Sequence, residues 1–173
     1  MGKRLKHYPD PMEMLGSFGA GALRAYVIDS PVVRAEELRF DESGLKEIVR
    51  TVVLPYWNVL SFFTTYAAID GYDPRTWKSD AVADRPDIDR WILSVLQSLA
   101  RDVNTGMEGY RLYTVVPRLV SFIDDLTNWY VRRSRARFWK SEDDRDKANA
   151  FATLFEVLST FSKVLAPFMP FLT

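Results

Sequence analysis

Residues 128–139 read NWYVRRSRARFW: Arg132, Arg133, Arg135 and Arg137 share twelve positions with four large aromatics and no acid. Guanidinium groups grip phosphate oxygens, and flat rings or guanidinium planes stack on unpaired bases, so this mixture suits looped or single-stranded RNA. It equally suits a helix end whose arginines pair with acids of neighbouring helices and complement the helix dipole. A second basic element opens the chain: MGKRLK sets Lys3, Arg4 and Lys6 close together ahead of a helix start. Lysines there can act as point charges on a polyphosphate, or form nothing more than an ordinary basic terminus. Two separate basic elements on one scaffold fit a protein that handles both a nucleotide and RNA.

Other chemistries are excluded. There is no cysteine, and His7 is the lone histidine, so disulfides, thiolate sites and histidine-built metal centres are ruled out. Asp124 and Asp125 diverge by about 100° if helical, so they do not share a metal; one of them is expected to face a neighbouring arginine. No metal site is expected. The glycines within Phe18–Ala22 follow no strand, so they fail the context of a dinucleotide-binding loop. The 23 basic and 23 acidic residues cancel to a formal charge of zero, which leaves the placement of charge as the informative quantity. No uninterrupted apolar run approaches the roughly 20 residues of a membrane span, and none follows the basic N-terminus as in a signal peptide. A cytoplasmic protein without membrane contact is expected.

The elements that position these residues read as helices. Asp10 caps a helix with Pro11 at its first position and Glu13 placed for a capping box; that helix ends at Gly19, and a second runs from Gly21 to Asp29, stopped by Ser30-Pro31. Residues 31–40 connect. Asp41 caps a long helix through Ala68, kinked at Pro55, and residues 69–87 form a loop. Apolar stripes then recur at helical spacing over Ile88–Val103 and Leu112–Tyr130. A last helix starts at Ser141, with Asp144 as its capping-box partner and Glu142 and Asp143 favouring the dipole, and ends at Pro167. The fold class is all-α: a short helical piece and then an antiparallel helical bundle.

With Leu112 to Trp139 on one regular helix, the stripe Val116, Leu119, Ile123, Leu126, Tyr130 extends to Arg133 and Arg137. Arg132 and Arg135 then point outward, with Trp139 between them. If the helix end leaves the bundle, Trp139 or Phe138 is available to stack on a base. Tyr56, Trp57, Trp91, Trp129 and Tyr130 are expected to be core.

Several stretches together resemble a known family. MGKR followed by HYPDP resembles the KMSKS loop of class I aminoacyl-tRNA synthetases in its KMSKR form, and FGAGALRAYVIDSPV resembles the segment that follows it. LPYWNVLSFFTTYA, DRWILSVL, LTNWYVRRSRARFW and LAPFMPFLT are similar, in that order, to the anticodon-binding helical domain of isoleucyl-tRNA synthetase. The likeness spans essentially the whole chain. SPVVRAEELRF and NWYVRRSRARFWK are the stretches most specific to the isoleucine enzyme; the shorter signatures are shared with the valine, leucine and methionine enzymes. Gly2 stands where the loop has serine, and Gly21 where the family usually has aspartate.

The resemblance implies a division near residue 40, with 1–40 as the end of a catalytic half and 41–173 as an anticodon-binding bundle truncated at its C-terminus. It implies an isoleucine–tRNA ligase acting with ATP and Mg2+. The ATP loop would be Met1, Gly2, Lys3 and Arg4, and Lys3 would be the catalytic charge on the phosphates. Arg132, Arg133, Arg135, Arg137 and Trp139 would contact the anticodon stem-loop of tRNA-Ile. The chain reads as a fragment that lacks the catalytic and editing domains it would partner. Alone it is expected to bind no cofactor and to form no isoleucyl-adenylate. The alternatives are a stand-alone RNA-binding helical module, a fragment of a valine- or leucine-type synthetase, or a helical scaffold whose arginines make only internal salt bridges.

Overall fold

The computed structural model describes residues 10–38, 40–139 and 143–173. The expected ATP loop, Met1 to Arg4, lies outside the described residues, and so does Ser141. Among the described residues the fold is helical, with no strand.

Helix α1 (Pro11–Asp29) is capped by Asp10, whose carboxylate accepts from Met12 N–H at 2.9 Å. Gly19 breaks it, at φ 78° and ψ 157°, a conformation glycine alone tolerates easily, so the two expected short helices meet there at a kink. A 3-10 turn at Pro31–Arg34 leads to α2 (Glu42–Ile48), capped by Asp41, which accepts from Ser43 N–H. Gly44 lets the Tyr26 ring lie directly on α2, because an added Cβ would overlap that ring.

The expected long helix is present, but its irregularity precedes Pro55. A π-helical stretch, Val49–Val53, joins α2 to α3 (Leu54–Asp70), and Leu54 N–H donates to Val49 O, five residues back. Thr51 Oγ1 donates to Glu47 O at 2.8 Å, which occupies a carbonyl that an α-helical turn would use. By length and hydropathy alone this 29-residue helix could cross a membrane. Its inward stripe, including Ile48, Val52, Tyr56, Val59 and Phe63, instead packs into the common core.

Gly71 ends α3 in left-handed conformation (φ 64°). The polar loop that follows is pinned to α7 (Asp144–Leu165). Asn149 and Arg145 hold Asp80 at 2.8 Å, and Arg85, nearly buried, donates to Thr153 Oγ1 at 3.1 Å. Helix α4 (Asp87–Glu108) packs most extensively against α7. The cap of α7 is Asp143, which accepts from Arg145 and Asp146 N–H, rather than the expected Ser141. An aspartate whose carboxylate can accept both free N–H groups of the first turn meets that need directly.

The fourth apolar stripe is not one regular helix. A 3-10 turn leads to α5 (Val115–Asp124), a second π-helical stretch spans Asp125–Val131, and α6 (Arg132–Trp139) follows. Here again a threonine, Thr127, donates to the carbonyl four residues back, Ile123 O, at 2.8 Å, and Arg132 N–H reaches Thr127 O. A single core includes Ala22 and Ala25 of α1 together with residues of every long helix. Gly21 packs against the C-terminal turn: an added Cβ would sit 3.7 Å from Met169 Cβ, so an aspartate there would press its carboxylate on an apolar side chain. Tyr56 and Tyr130 are core, as expected, but Trp57, Trp91 and Trp129 are substantially exposed.

Candidate nucleic-acid interface

The π stretch decides where the arginines point. It takes more residues per turn than an α-helix, so the inward side shifts by about one position to centre on Ser134 and Phe138, both buried, which turns Arg133 out and leaves Arg137 at the inner edge. Arg133, expected to face the bundle, is exposed, and its guanidinium lies 4.0 Å from the Trp129 ring centroid. Phe138 cannot stack on a base. It is fully buried between Phe62 and Phe151, with ring centroids 5.1 and 4.9 Å away.

Arg137 alone of the four turns inward. It makes a bidentate pair with Asp89, both bonds at 2.8 Å, and a second with Asp146 at 2.7 and 2.9 Å. Tyr130 Oη donates to Asp89 at 2.8 Å, and Asp89 is fully buried. Burial alone would lower the Arg137 pKa; the bonds and charges of the two aspartates outweigh it and hold the guanidinium protonated more firmly than usual. Burial first, and then the charge of Asp89, push the Tyr130 phenol well above its ordinary value. The cluster ties α4, α6 and α7 together, so Arg137, expected at the RNA surface, is instead the group that fixes where α6 sits. Asp89 and Asp146 were not anticipated as its partners. Their signal was positional, since Asp89 lies on the same face as Ile92 and Leu96, and Asp146 on that of Ala150 and Leu154.

Arg132, Arg133 and Arg135 are exposed, and among the described residues no carboxylate pairs with them. Arg132 and Arg135 edge a groove of about 390 Å³ between α3 and α6, with Asn58, Asn128, Phe62 and Val131 among its other walls. The Arg135 guanidinium lies 5.8 Å from the Phe62 centroid. Asn128 Nδ2 donates to Asp124, which leaves its amide oxygen as an acceptor. Trp139, half exposed, continues the same edge, its ring 6.1 Å from that of Tyr66. Guanidinium groups, amides and aromatic faces along one groove can hold phosphates and an unstacked base. Asp124 bonds Asn128 rather than an arginine, and the charge of Arg118 acts on Asp125 without a direct hydrogen bond. No group of three or more metal-ligating side chains occurs among the described residues.

Residues 89–173 match the profile of the anticodon-binding domain of tRNA ligase. Over all 173 residues the chain is 50% identical to the isoleucine–tRNA ligase of Chlamydia caviae and 50% identical to that of Bdellovibrio bacteriovorus. It is 50% identical over 172 residues to the isoleucine–tRNA ligase of Chlamydia pneumoniae. In each case the match takes in 99–100% of this chain and 16% of the relative, so the chain spans about a sixth of the length of the curated relatives it matches.

Proposed function

We propose that this chain, which belongs as a segment to the isoleucine–tRNA ligase family, holds the anticodon stem-loop of tRNA-Ile on the α3–α6 groove. The observation that carries the reading is the set of three exposed arginines, without carboxylate partners among the described residues, beside aromatic and amide groups, on a helix locked in place from its inner side. Arg132, Arg133 and Arg135 supply charge to phosphates. Trp139, Trp129 and the groove walls supply stacking and hydrogen-bonding surface. Arg137 has no contact role and acts through its aspartates.

In the assembled cytoplasmic enzyme, residues 1–40 would close the catalytic half. Lys3, with Met1, Gly2 and Arg4, would place positive charge near the phosphates of ATP, which with Mg2+ supplies the activating group. The catalytic and editing domains would be the other partners, and a membrane has no part in the reading. The segment alone should show no ATP–pyrophosphate exchange above a Lys3→Ala control.

The test is binding of an unmodified tRNA-Ile transcript across a salt series, beside the Arg132→Ala/Arg135→Ala double variant. The wild type should lose affinity linearly in log salt, and the variant should have a slope shallower by about 1.4–1.8 while remaining folded. Equal affinity and slope for the two proteins would overturn the groove as the RNA face.

A further inference from the structure

The turn between α4 and α5 places an exposed tyrosine at a left-handed position. Helix α4 ends with Tyr110 N–H donating to Met107 O at 3.1 Å and Arg111 N–H donating to Gly106 O at 2.8 Å. This paired closure requires left-handed backbone at the residue past the cap, where helices generally use glycine or asparagine. Here that residue is Tyr110, with φ 52°. Its neighbour Gly109 sits at φ −85° and ψ 6°, a backbone open to other residues. Glycine at 109 serves a different end, since a Cβ there would lie 3.1 Å from Arg111 Nε, so its absence lets the Arg111 side chain fold back over the turn.

Left-handed backbone is strained for a residue with a Cβ, and such strain persists where something offsets it. Packing within the chain does not offset it, because Tyr110 is 88% exposed. Beside the turn lies a concavity of about 370 Å³ lined by Arg101, Thr105, Arg111, Thr114 and Arg118, with Asp102 as the acid in its wall. Asp102 is engaged by Arg118, and among the described residues no carboxylate pairs with Arg101 or Arg111. Gly106 lets the walls close: a Cβ there would come within 2.9 Å of Val115 Cγ2. From Leu112 to Arg132 the helix axis covers about 30 Å, so this turn is not part of the α3–α6 groove.

An exposed ring in a strained backbone, next to guanidinium groups and hydroxyls, is the chemistry that takes a stacked base and its flanking phosphates. We infer that the α4–α5 turn is a second RNA contact, in which Tyr110 stacks on an unpaired base and Arg101 and Arg111 hold adjacent phosphates. The inference rests on the reading of the chain as an RNA binder but not on the groove.

The experiment uses the full 173-residue chain and the unmodified tRNA-Ile transcript, with Tyr110→Gly, Tyr110→Phe, Arg111→Ala and Arg132→Ala/Arg135→Ala beside the wild type. Tyr110→Gly gives the turn its preferred residue, so its thermal midpoint should match or exceed that of the wild type, while affinity falls roughly 5- to 100-fold at an unchanged salt slope. Tyr110→Phe should keep wild-type affinity. Arg111→Ala should lower the slope by about 0.7–0.9. If Tyr110→Gly binds like the wild type while the double variant loses affinity, the turn is overturned and the groove stands. If the double variant binds like the wild type while Tyr110→Gly loses affinity, the groove falls and the turn stands. A wild type that fails to bind the transcript overturns both, and loss of affinity in Tyr110→Gly matched by loss of folding overturns the turn.

Discussion

Arg137 and Arg132 occupy the same eight-residue helix and meet opposite surroundings. Arg137 reaches inward to a fully buried aspartate, with 14% of its side chain accessible, whereas Arg132 faces solvent at the edge of a groove. Residue type does not separate them; the partners that neighbouring helices supply do. A buried guanidinium costs much desolvation and is tolerated because two carboxylates meet it bidentately and a phenol completes the shell. An exposed guanidinium without a carboxylate partner gives its donors to water. The inner arginine fixes the position of α6, and the outer ones stay exposed on it.

Removing each arginine in turn should break this comparison most visibly. Arg137→Ala leaves Asp89 buried without its counter-charge and should cost about 3–5 kcal/mol of unfolding free energy. Arg132→Ala should stay within about 0.5 kcal/mol of the wild type, as surface substitutions generally do. Urea denaturation of the two variants checks both. Comparable losses would mean that Arg132 has structural partners as well, and the division of labour would fail.

The origin of that division was only partly legible in the sequence. Asp10 and Asp41 as caps, Gly19 as a break and the all-helical class followed from local chemistry that depends on neighbours a few residues away. The identity of the inward arginine did not. Extending a regular helix through Asp125–Val131 put Arg133 and Arg137 on one face, whereas the π stretch turned Arg133 out toward Trp129 and left Arg137 near the inner side. Both π stretches contain a threonine bonded to the carbonyl four residues back, Thr51 to Glu47 and Thr127 to Ile123. Threonine occurs in many regular helices, so it is no marker by itself. Three tryptophans expected in the core lie outside it, because spacing gives the face of a helix but not how far its neighbours cover that face. Asp89 was hidden for the opposite reason: a charged residue on an apolar face reads as a surface interruption until its partners, from segments far along the chain, are in place.

A smaller effect sharpens the inner half. Tyr130→Phe removes the hydroxyl that donates to Asp89 and should cost about 1–2 kcal/mol near neutral pH, because the buried carboxylate loses one donor and keeps Arg137. The variant also tests the alkaline limb. Burial and the Asp89 charge raise the folded-state pKa of Tyr130 well above 10.0. The unfolded chain therefore loses that proton first, and folded-state stability falls as pH rises above about 10. Tyr72, raised chiefly by its burial, contributes in the same direction. Denaturation midpoints from pH 9 to 11 should fall less steeply in Tyr130→Phe than in the wild type; parallel slopes would mean that the phenol ionises as freely in the fold as outside it.

The smallest effect belongs to a surface pair that looks strong on geometry alone. Asp73 accepts from Arg75 Nε, Nη2 and the backbone N–H, and the hydrogen bonds from the Arg75 side chain, with that backbone N–H, bring its pKa from 3.8 to about 2. The direction is that of a depressed carboxylate, so whatever stability the pair contributes is present above about pH 4 and is lost as pH falls through about 2. Both partners meet water, Arg75 with 87% of its side chain accessible, and solvent and salt screen such a pair nearly to nothing. Asp73→Asn should therefore leave the denaturation midpoint at pH 7 almost unchanged and lower it slightly less at pH 2 than in the wild type, whereas Arg137→Ala shifts it greatly at neutral pH. If Asp73→Asn instead approached the loss seen for Arg137→Ala, exposure would not be what separates the two kinds of arginine, and the outward residues of α6 would have to be reconsidered as parts of the scaffold.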